Sequence, residues 1–200
     1  MASAGRPRTF DRDAALNKAM LIFWEKGYEG TTMTDIINAI GTKAPSVYAA
    51  FGNKDKLFNE VVSLYAQILK SGPLKALNEH PSIYDAIRSS LYSNVEIFTS
   101  TNNPCSCLIM TAANNCSPEH TEHMNNLKNL RSDYKNAFED RFKQAVSDGQ
   151  LISTANPQTL AEFYMTFVHG LALRAKDGVS KVDLHTSTDY ALVTVKLMLK

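Results

Sequence analysis

The chain of 200 residues has no apolar run long enough for a transmembrane helix, and its first residues lack the apolar region of a secretory signal. It has three cysteines, an odd number, which argues against a disulfide framework. Lysine and arginine total 21 against 20 aspartates and glutamates, so the chain cannot hold polyanions by bulk charge. We therefore expect a cytoplasmic protein without membrane contact, in which any nucleic-acid contact comes from a local surface.

The apolar residues recur at helical spacing along nearly the whole chain, and no stretch shows the alternation of a strand, so we expect an all-α fold. Capping residues, prolines and glycines predict the helix ends. Helices are expected over about 11–27, 32–41, 44–51, 54–72, 81–98, 117–149, 156–178 and 180–200.

The most informative stretch is 32–51, where a glycine turn joins two short helices. Thr32 followed three residues later by Asp35 matches a capping box, and Gly41 closes the first helix. Pro45 suits the first turn of the second helix. This arrangement predicts a helix-turn-helix, in which the second helix enters the major groove of DNA and the first supports it.

The outer face of the second helix carries small or polar groups that permit close approach to base edges. Hydroxyls and amines on this face and its flanks can bond bases or phosphates, and a basic arm precedes the first helix. The candidate DNA-binding residues are Arg6, Arg8, Thr32, Thr42, Lys43, Ala44, Pro45, Ser46, Tyr48 and Lys54. Against this, residues 1–60 carry eight basic and seven acidic side chains, a near-neutral balance.

Two motifs carry a resemblance to a known family: Phe23-x3-Gly27-Tyr28-Glu29-Gly30-Thr31-Thr32-Met33-x2-Ile36 and Tyr48-x2-Phe51-x2-Lys54-x2-Leu57. They resemble the DNA-binding domain of the tetracycline-repressor (TetR) family, without gaps from about residue 10 to 58. The resemblance implies a repressor that binds a palindromic double-stranded operator as a homodimer and leaves it when an effector binds. It further implies a basic arm at 1–9, a DNA-binding domain at 10–70 and a helical effector-binding and dimerisation domain at 75–200.

By position, the resemblance places Thr32, Tyr48 and Lys54 at backbone-contacting sites and residues 42–46 at base-facing sites. Ala44-Pro45 departs from the Lys-Gly type of pair found in many members, so the operator sequence does not follow from the family. The N-terminal motifs also resemble a subgroup that includes a copper-responsive repressor of an outer-membrane protein gene. The effector is accordingly left open between a small organic molecule and a metal such as copper.

Two helices of the second half are expected to form the dimer contact. The helix from Asn156 is apolar on most sides around Phe163, Phe167 and Gly170, and a central glycine allows close approach of another helix. The final helix, which contains Tyr190, is the expected second contributor. Closed two-fold dimers are the commonest oligomers, which favours dimerisation over a purely intramolecular role.

Three cysteines and two histidines are candidates for a metal site or a nucleophile–base pair. These residues are Cys105, Cys107, Cys116, His120 and His123. Their spacing is not a standard zinc pattern, and buried cysteines with surface histidines would explain them without a metal. A catalytic pair would need a third group and an oxyanion site, which the sequence does not supply. We expect no enzyme activity and no cofactor; the alternative to a DNA-binding regulator is a helical metal-sensing or protein-interaction module.

Overall fold

The computed structural model describes residues 10–113 and 116–200, so the predicted contacts of Arg6 and Arg8 lie outside the described residues. In the described part the regular secondary structure is helical, apart from one isolated bridge between Leu151 and Leu199, which confirms the all-α fold. None of its helices is long and apolar enough to cross a bilayer. The helices are α1 Arg12–Lys26, α2 Met33–Ile40, α3 Ala44–Phe51, α4 Lys54–Ser71, α5 Pro73–Glu79, α6 Ile83–Phe98, α7 Leu108–Thr111, the 3₁₀ turn Pro118–His120, α8 Thr121–Ser147, α9 Pro157–Lys176 and α10 Lys181–Lys196.

The first helices begin and end at the residues that the sequence indicates. Asp11 begins α1 by accepting a hydrogen bond from Ala14 N at 3.0 Å, and Gly27 comes directly after its last residue. Asn53 begins α4 in the same way, accepting from Lys56 N at 2.9 Å. These side chains occupy N–H groups that have no partner within the helix, which is why they define the boundaries.

Two short helices, α5 and the four-residue α7, do not follow from the apolar pattern. The sequence predicts that α4 ends at Gly72-Pro73, as it does, but Pro73 is also the first residue of α5. Proline suits that position because its missing N–H would have no acceptor there. With seven residues, α5 is too short for a helical repeat to be recognised.

The predicted helix starts in the second half hold with small shifts, but the last helix does not continue to residue 200: α10 ends at Lys196, and Leu199 forms the bridge with Leu151. Helix α6 begins after Ser82, whose hydroxyl caps it, rather than at Pro81. Ser117-Pro118 does start helical structure, but as a 3₁₀ turn that precedes α8. Asn156 and Ser180 cap α9 and α10 as predicted.

A continuous buried core joins the first helices to the second half of the chain. Trp24 of α1, the only tryptophan, packs on Tyr65 of α4 with ring centroids 4.8 Å apart. Its indole N–H donates to Ser106 Oγ at 3.0 Å. After α1, Tyr28 N donates to Ala112 O at 2.6 Å. The α7 segment, residues 106–112, is therefore hydrogen-bonded at both ends: Ser106 to Trp24 of α1, and Ala112 to Tyr28 just after α1.

Candidate nucleic-acid interface

A capping box fixes the start of α2, the first helix of the predicted helix-turn-helix. Asp35 N donates to Thr32 Oγ1 at 3.1 Å, and Thr32 N donates to Asp35 Oδ2 at 2.9 Å. Asp35 also pairs with Lys26 of α1, at 3.1 Å. The Thr32 hydroxyl also donates to Asp35 Oδ2 at 2.7 Å, and this bond more than the others lowers the pKa of Asp35 to about 2. Helix α2 is thus anchored to α1, with Thr32 exposed at its start.

The turn into α3 and the packing of α3 agree with the sequence pattern. Gly41 closes α2 in the left-handed conformation, with φ 77° and ψ 34°, which glycine adopts without a steric penalty. Pro45 lies in the first turn of α3. Val47 and Phe51 are buried in the same core as Ile36 of α2. This burial fixes which side of α3 faces outward.

The outer side of α3 and the turn before it hold the predicted base-facing residues. Lys43, Pro45 and Tyr48 are exposed, whereas Thr42, Ala44 and Ser46 are partly exposed. Tyr48 leaves 48% of its surface open to solvent. Lys43 takes the N-cap position of α3, yet its side chain makes no capping hydrogen bond. Within residues 42–48, all but the buried Val47 therefore lie on one outward surface of a single short helix and its leading turn.

Lys54 lies on the flank of this surface, at the first residue of α4. Its Nζ lies 4.1 Å from the centroid of the Tyr28 ring, a cation–π contact. Asn53 accepts from Lys56 N, so this N–H group in the first turn of α4 is already engaged within the protein. The exposed side chain of Lys56 adds a second cation in this turn, one that is absent from the residues expected to contact DNA. The spacing Lys54-x-Lys56 is the pattern that could have indicated it.

Acidic side chains near this surface contact other parts of the protein. Asp55 of α4 accepts from Tyr28 Oη at 2.5 Å, and its Oδ1 lies 3.0 Å from His123 Nε2. Glu29, which comes after α1, places Oε1 2.8 Å from His120 Nδ1. The hydrogen bond from Tyr28, then that with His123, lowers the pKa of Asp55. These contacts connect the helix-turn-helix unit to the start of α8.

The cysteines and histidines considered as a metal or catalytic site do not converge. Cys105 is exposed, Cys107 is buried and Cys116 is partly buried, all as free thiols. Among the described residues, no group of three or more His, Cys, Asp or Glu side chains is placed to hold a metal ion. The expectation of surface histidines is wrong for His123, which is 4% exposed. It is buried because its ring packs against Tyr28 and Phe58.

Residues 15–61, which include the helix-turn-helix, match a model of the tetR family of bacterial regulatory proteins. Across most of its length the chain is similar to the HTH-type transcriptional repressor ComR of Escherichia coli (strain K12). The two are 32% identical over 179 residues, which cover 89% of this chain and 85% of ComR.

Solved structures of TetR regulators have the same architecture. One contains a cysteine mutant of the TetR family transcriptional regulator CifR complexed with 26-bp double-strand operator DNA. The CifR chain is 35% identical to this chain, and the two structures superimpose with a TM-score of 0.87. The match covers 94% of this chain and 98% of the CifR chain. A TetR transcriptional regulator from Chloroflexus aurantiacus J-10-FL, 16% identical, has a TM-score of 0.83 and covers 94% and 95% of the two chains.

Proposed function

Because this chain belongs to the TetR family of bacterial regulatory proteins, we propose that it binds a palindromic operator as a homodimer, represses transcription there and is released by an effector. The chain is a DNA-binding transcriptional regulator and not an enzyme. The observation that supports the proposal is the outward surface of residues 42–48, held in place by the buried face of α3. With a bacterial chromosome as its partner, the protein acts in the cytoplasm.

We assign base contacts to Thr42, Lys43, Ala44, Pro45 and Ser46, and backbone contacts to Thr32, Tyr48 and Lys54. Hydroxyls and the Lys43 amine can reach base edges, and the small side chains let the helix approach the groove. Thr32 Oγ1 lies 2.7 Å from Asp35 Oδ2, so a phosphate contact requires this hydroxyl to turn away from the carboxylate. Arg6 and Arg8 are assigned to the minor groove or the backbone from their sequence position alone.

We assign the dimer contact to α9 and α10, because both expose apolar side chains at helical spacing. The exposed residues are Phe163 and Leu173 of α9, and Val182, Tyr190, Val193 and Leu197 of α10. Tyr190 and Leu197 leave 76% and 77% of their surfaces open. A Cβ built on Gly170 would meet no atom within 4 Å, so a second α9 can approach there. Pairing the two helices with their copies gives a four-helix interface that buries this stripe.

In this arrangement two α3 helices enter successive major grooves, about 34–36 Å apart along the duplex. Helix α4 links each of them to the second half of the chain. An effector weakens operator binding only to the extent that it binds more tightly to a conformation in which the distance between the two α3 helices does not match successive major grooves. Both an organic molecule and a metal such as copper remain candidate effectors.

DNase footprinting next to the protein's own gene locates the operator, and anisotropy titrations at several salt concentrations test the contacts. Each phosphate neutralised contributes about −0.9 to the slope of log K against log salt. Lys54→Gln in both subunits should therefore flatten that slope by about 2, whereas Ser46→Ala should change the preferred base sequence. Lys128→Gln, an exposed lysine on α8, is the control. Salt-insensitive binding to unrelated duplexes would instead favour the protein-interaction alternative.

A further inference from the structure

A cavity of about 330 Å³ lies between α7, α8 and α9, in the half of the chain that does not carry the DNA-binding surface. It is lined by Met110, Thr111, Arg131, His169, Ala172 and Leu173. Three of these six side chains are apolar, and the other three bring a hydroxyl, a guanidinium and an imidazole. A volume of this size accepts a small organic molecule.

Arg131 brings a positive charge to this cavity without an acidic partner. Its side chain is partly buried, and Nη1 donates to Ile109 O at 2.7 Å. Among the described residues no carboxylate forms an ion pair with Arg131, and the loss of solvent around the guanidinium lowers its pKa. A guanidinium has five N–H donors in a planar fork, and removing it from water without a counter-charge is unfavourable. The remaining donors are therefore available to an anion.

His169 supplies a second polar group with unused capacity. Its Nε2 is buried and has no hydrogen-bond partner among the described residues. Burial, followed by the nearby charge of Arg131, lowers the pKa of His169. The ring is therefore neutral at pH 7 and keeps one N–H donor. Buried polar atoms in folded proteins are nearly always hydrogen-bonded, so an unpaired one beside a cavity indicates a missing partner.

We propose that this cavity binds a small carboxylate with an apolar body, whose carboxylate is held by Arg131 and supported by His169. The planar fork of arginine matches a carboxylate in a bidentate geometry. Met110 and Ala172 provide apolar surface for the rest of the molecule. One guanidinium balances the single charge of a carboxylate, whereas a dianionic phosphate would keep an uncompensated charge in this apolar surrounding.

The regulatory consequence rests on the proposed function, whereas the binding does not. A carboxylate that binds the remaining donors of Arg131 turns the guanidinium toward the cavity and so weakens its hydrogen bond to Ile109 O, which is part of α7. The α7 segment is in turn hydrogen-bonded to Trp24 through Ser106 and to Tyr28 through Ala112. Occupation of the cavity therefore displaces a segment that supports α1, and operator affinity falls.

Calorimetry with hexanoate and 4-phenylbutyrate, each compared with its neutral amide, tests the binding on the full-length protein. We expect at least one acid to bind tenfold or more tightly than its amide in the wild type. Arg131→Gln should abolish this preference. Arg131→Lys, which keeps the charge without the fork, should retain part of it, and Arg88→Gln on exposed α6 surface should leave it unchanged.

Equal binding of acid and amide in both pairs, or an acid preference that survives Arg131→Gln, would overturn the proposal. So would tighter binding of phenyl phosphate than of either acid. Operator binding without ligand is measured separately by anisotropy. A protein that binds the acid but no operator refutes the proposed function alone, and one that binds operator but prefers no acid refutes this inference alone.

Discussion

Replacing Gly27 by alanine should destabilise the protein more than replacing Gly41 by alanine, although both glycines have positive φ. Gly41 lies in the left-handed region, and a Cβ there would meet no atom within 4 Å. Gly27 has φ 73° and ψ 175°, a region that only glycine adopts readily. A Cβ on Gly27 would lie 3.1 Å from Ala112 O, the acceptor of the Tyr28 N–H.

The expected difference comes from these two environments. For Gly41→Ala, a left-handed alanine costs about 1–2 kcal/mol, and the stiffer unfolded chain returns about 0.4–1 kcal/mol, so we expect a net loss of about 1 kcal/mol. For Gly27→Ala, we expect about 2–3 kcal/mol of backbone strain and about 1 kcal/mol from the weakened Tyr28–Ala112 hydrogen bond. After the same unfolded-state gain, Gly27→Ala should lose about 3 kcal/mol.

Urea denaturation of both variants at one protein concentration measures these free energies, with circular dichroism and Trp24 fluorescence as probes. Trp24 is a suitable probe because it is the only tryptophan and contacts Ser106 beside α7. If Gly27→Ala were no less stable than Gly41→Ala, the close approach of α1 to the α7 segment would not contribute to stability. The packing of the first helices on the second half would then need another explanation.

Three further predictions concern the cap of α2, the loop after α1 and the dimer contact. Thr32→Ala should lower the unfolding free energy by about 1 kcal/mol in thermal denaturation, because the capping box is lost. Glu29 has its pKa lowered from 4.5 to about 2, chiefly by the Ser117 N–H, so its stabilising contribution is present above pH 4.5 and is lost as the pH falls towards 2. Acid titrations should therefore show a shallower stability loss in Glu29→Gln than in the wild type. Leu197→Glu should yield monomers in sedimentation equilibrium and weaken operator binding; unchanged dimers would refute the assigned contact.

Most of the fold is predictable from the sequence because the residues that determine each helix end lie close to that end along the chain. Thr32 with Asp35, or Asn53 before α4, fixes a helix start within three or four residues, and such local contacts do not depend on the rest of the chain. Helix α5 is not predictable in this way, because Pro73 follows the end of α4 and is also the first residue of α5. A proline indicates a boundary without indicating whether a loop or another helix comes after it.

The outward surface of residues 42–48 is predictable for the same reason, since the apolar spacing of α3 determines which face is buried. The tertiary contacts beneath this surface are not predictable from the sequence. His123 and Asp55 are separated by 68 positions, and nothing near either residue indicates the other. The histidine is buried because α8 packs against the aromatic rings of Tyr28 and Phe58, and only the tertiary structure brings these together.

The net charge of residues 1–60 does not by itself describe the charge at the outward surface, because several of the charged side chains are paired within the protein. Net charge counts every acid equally, but an acid affects an approaching polyanion only where its charge is not already balanced locally. Asp35 pairs with Lys26, Glu60 pairs with Arg12, and Asp55 contacts His123. Each of these carboxylates is directed at a partner within the protein. Lys26 and Arg12 are engaged in the same pairs, whereas Lys43 and Lys56 are exposed and form no ion pair among the described residues. The field at the outward surface therefore depends on where these two lysines lie and not on the charge balance of residues 1–60.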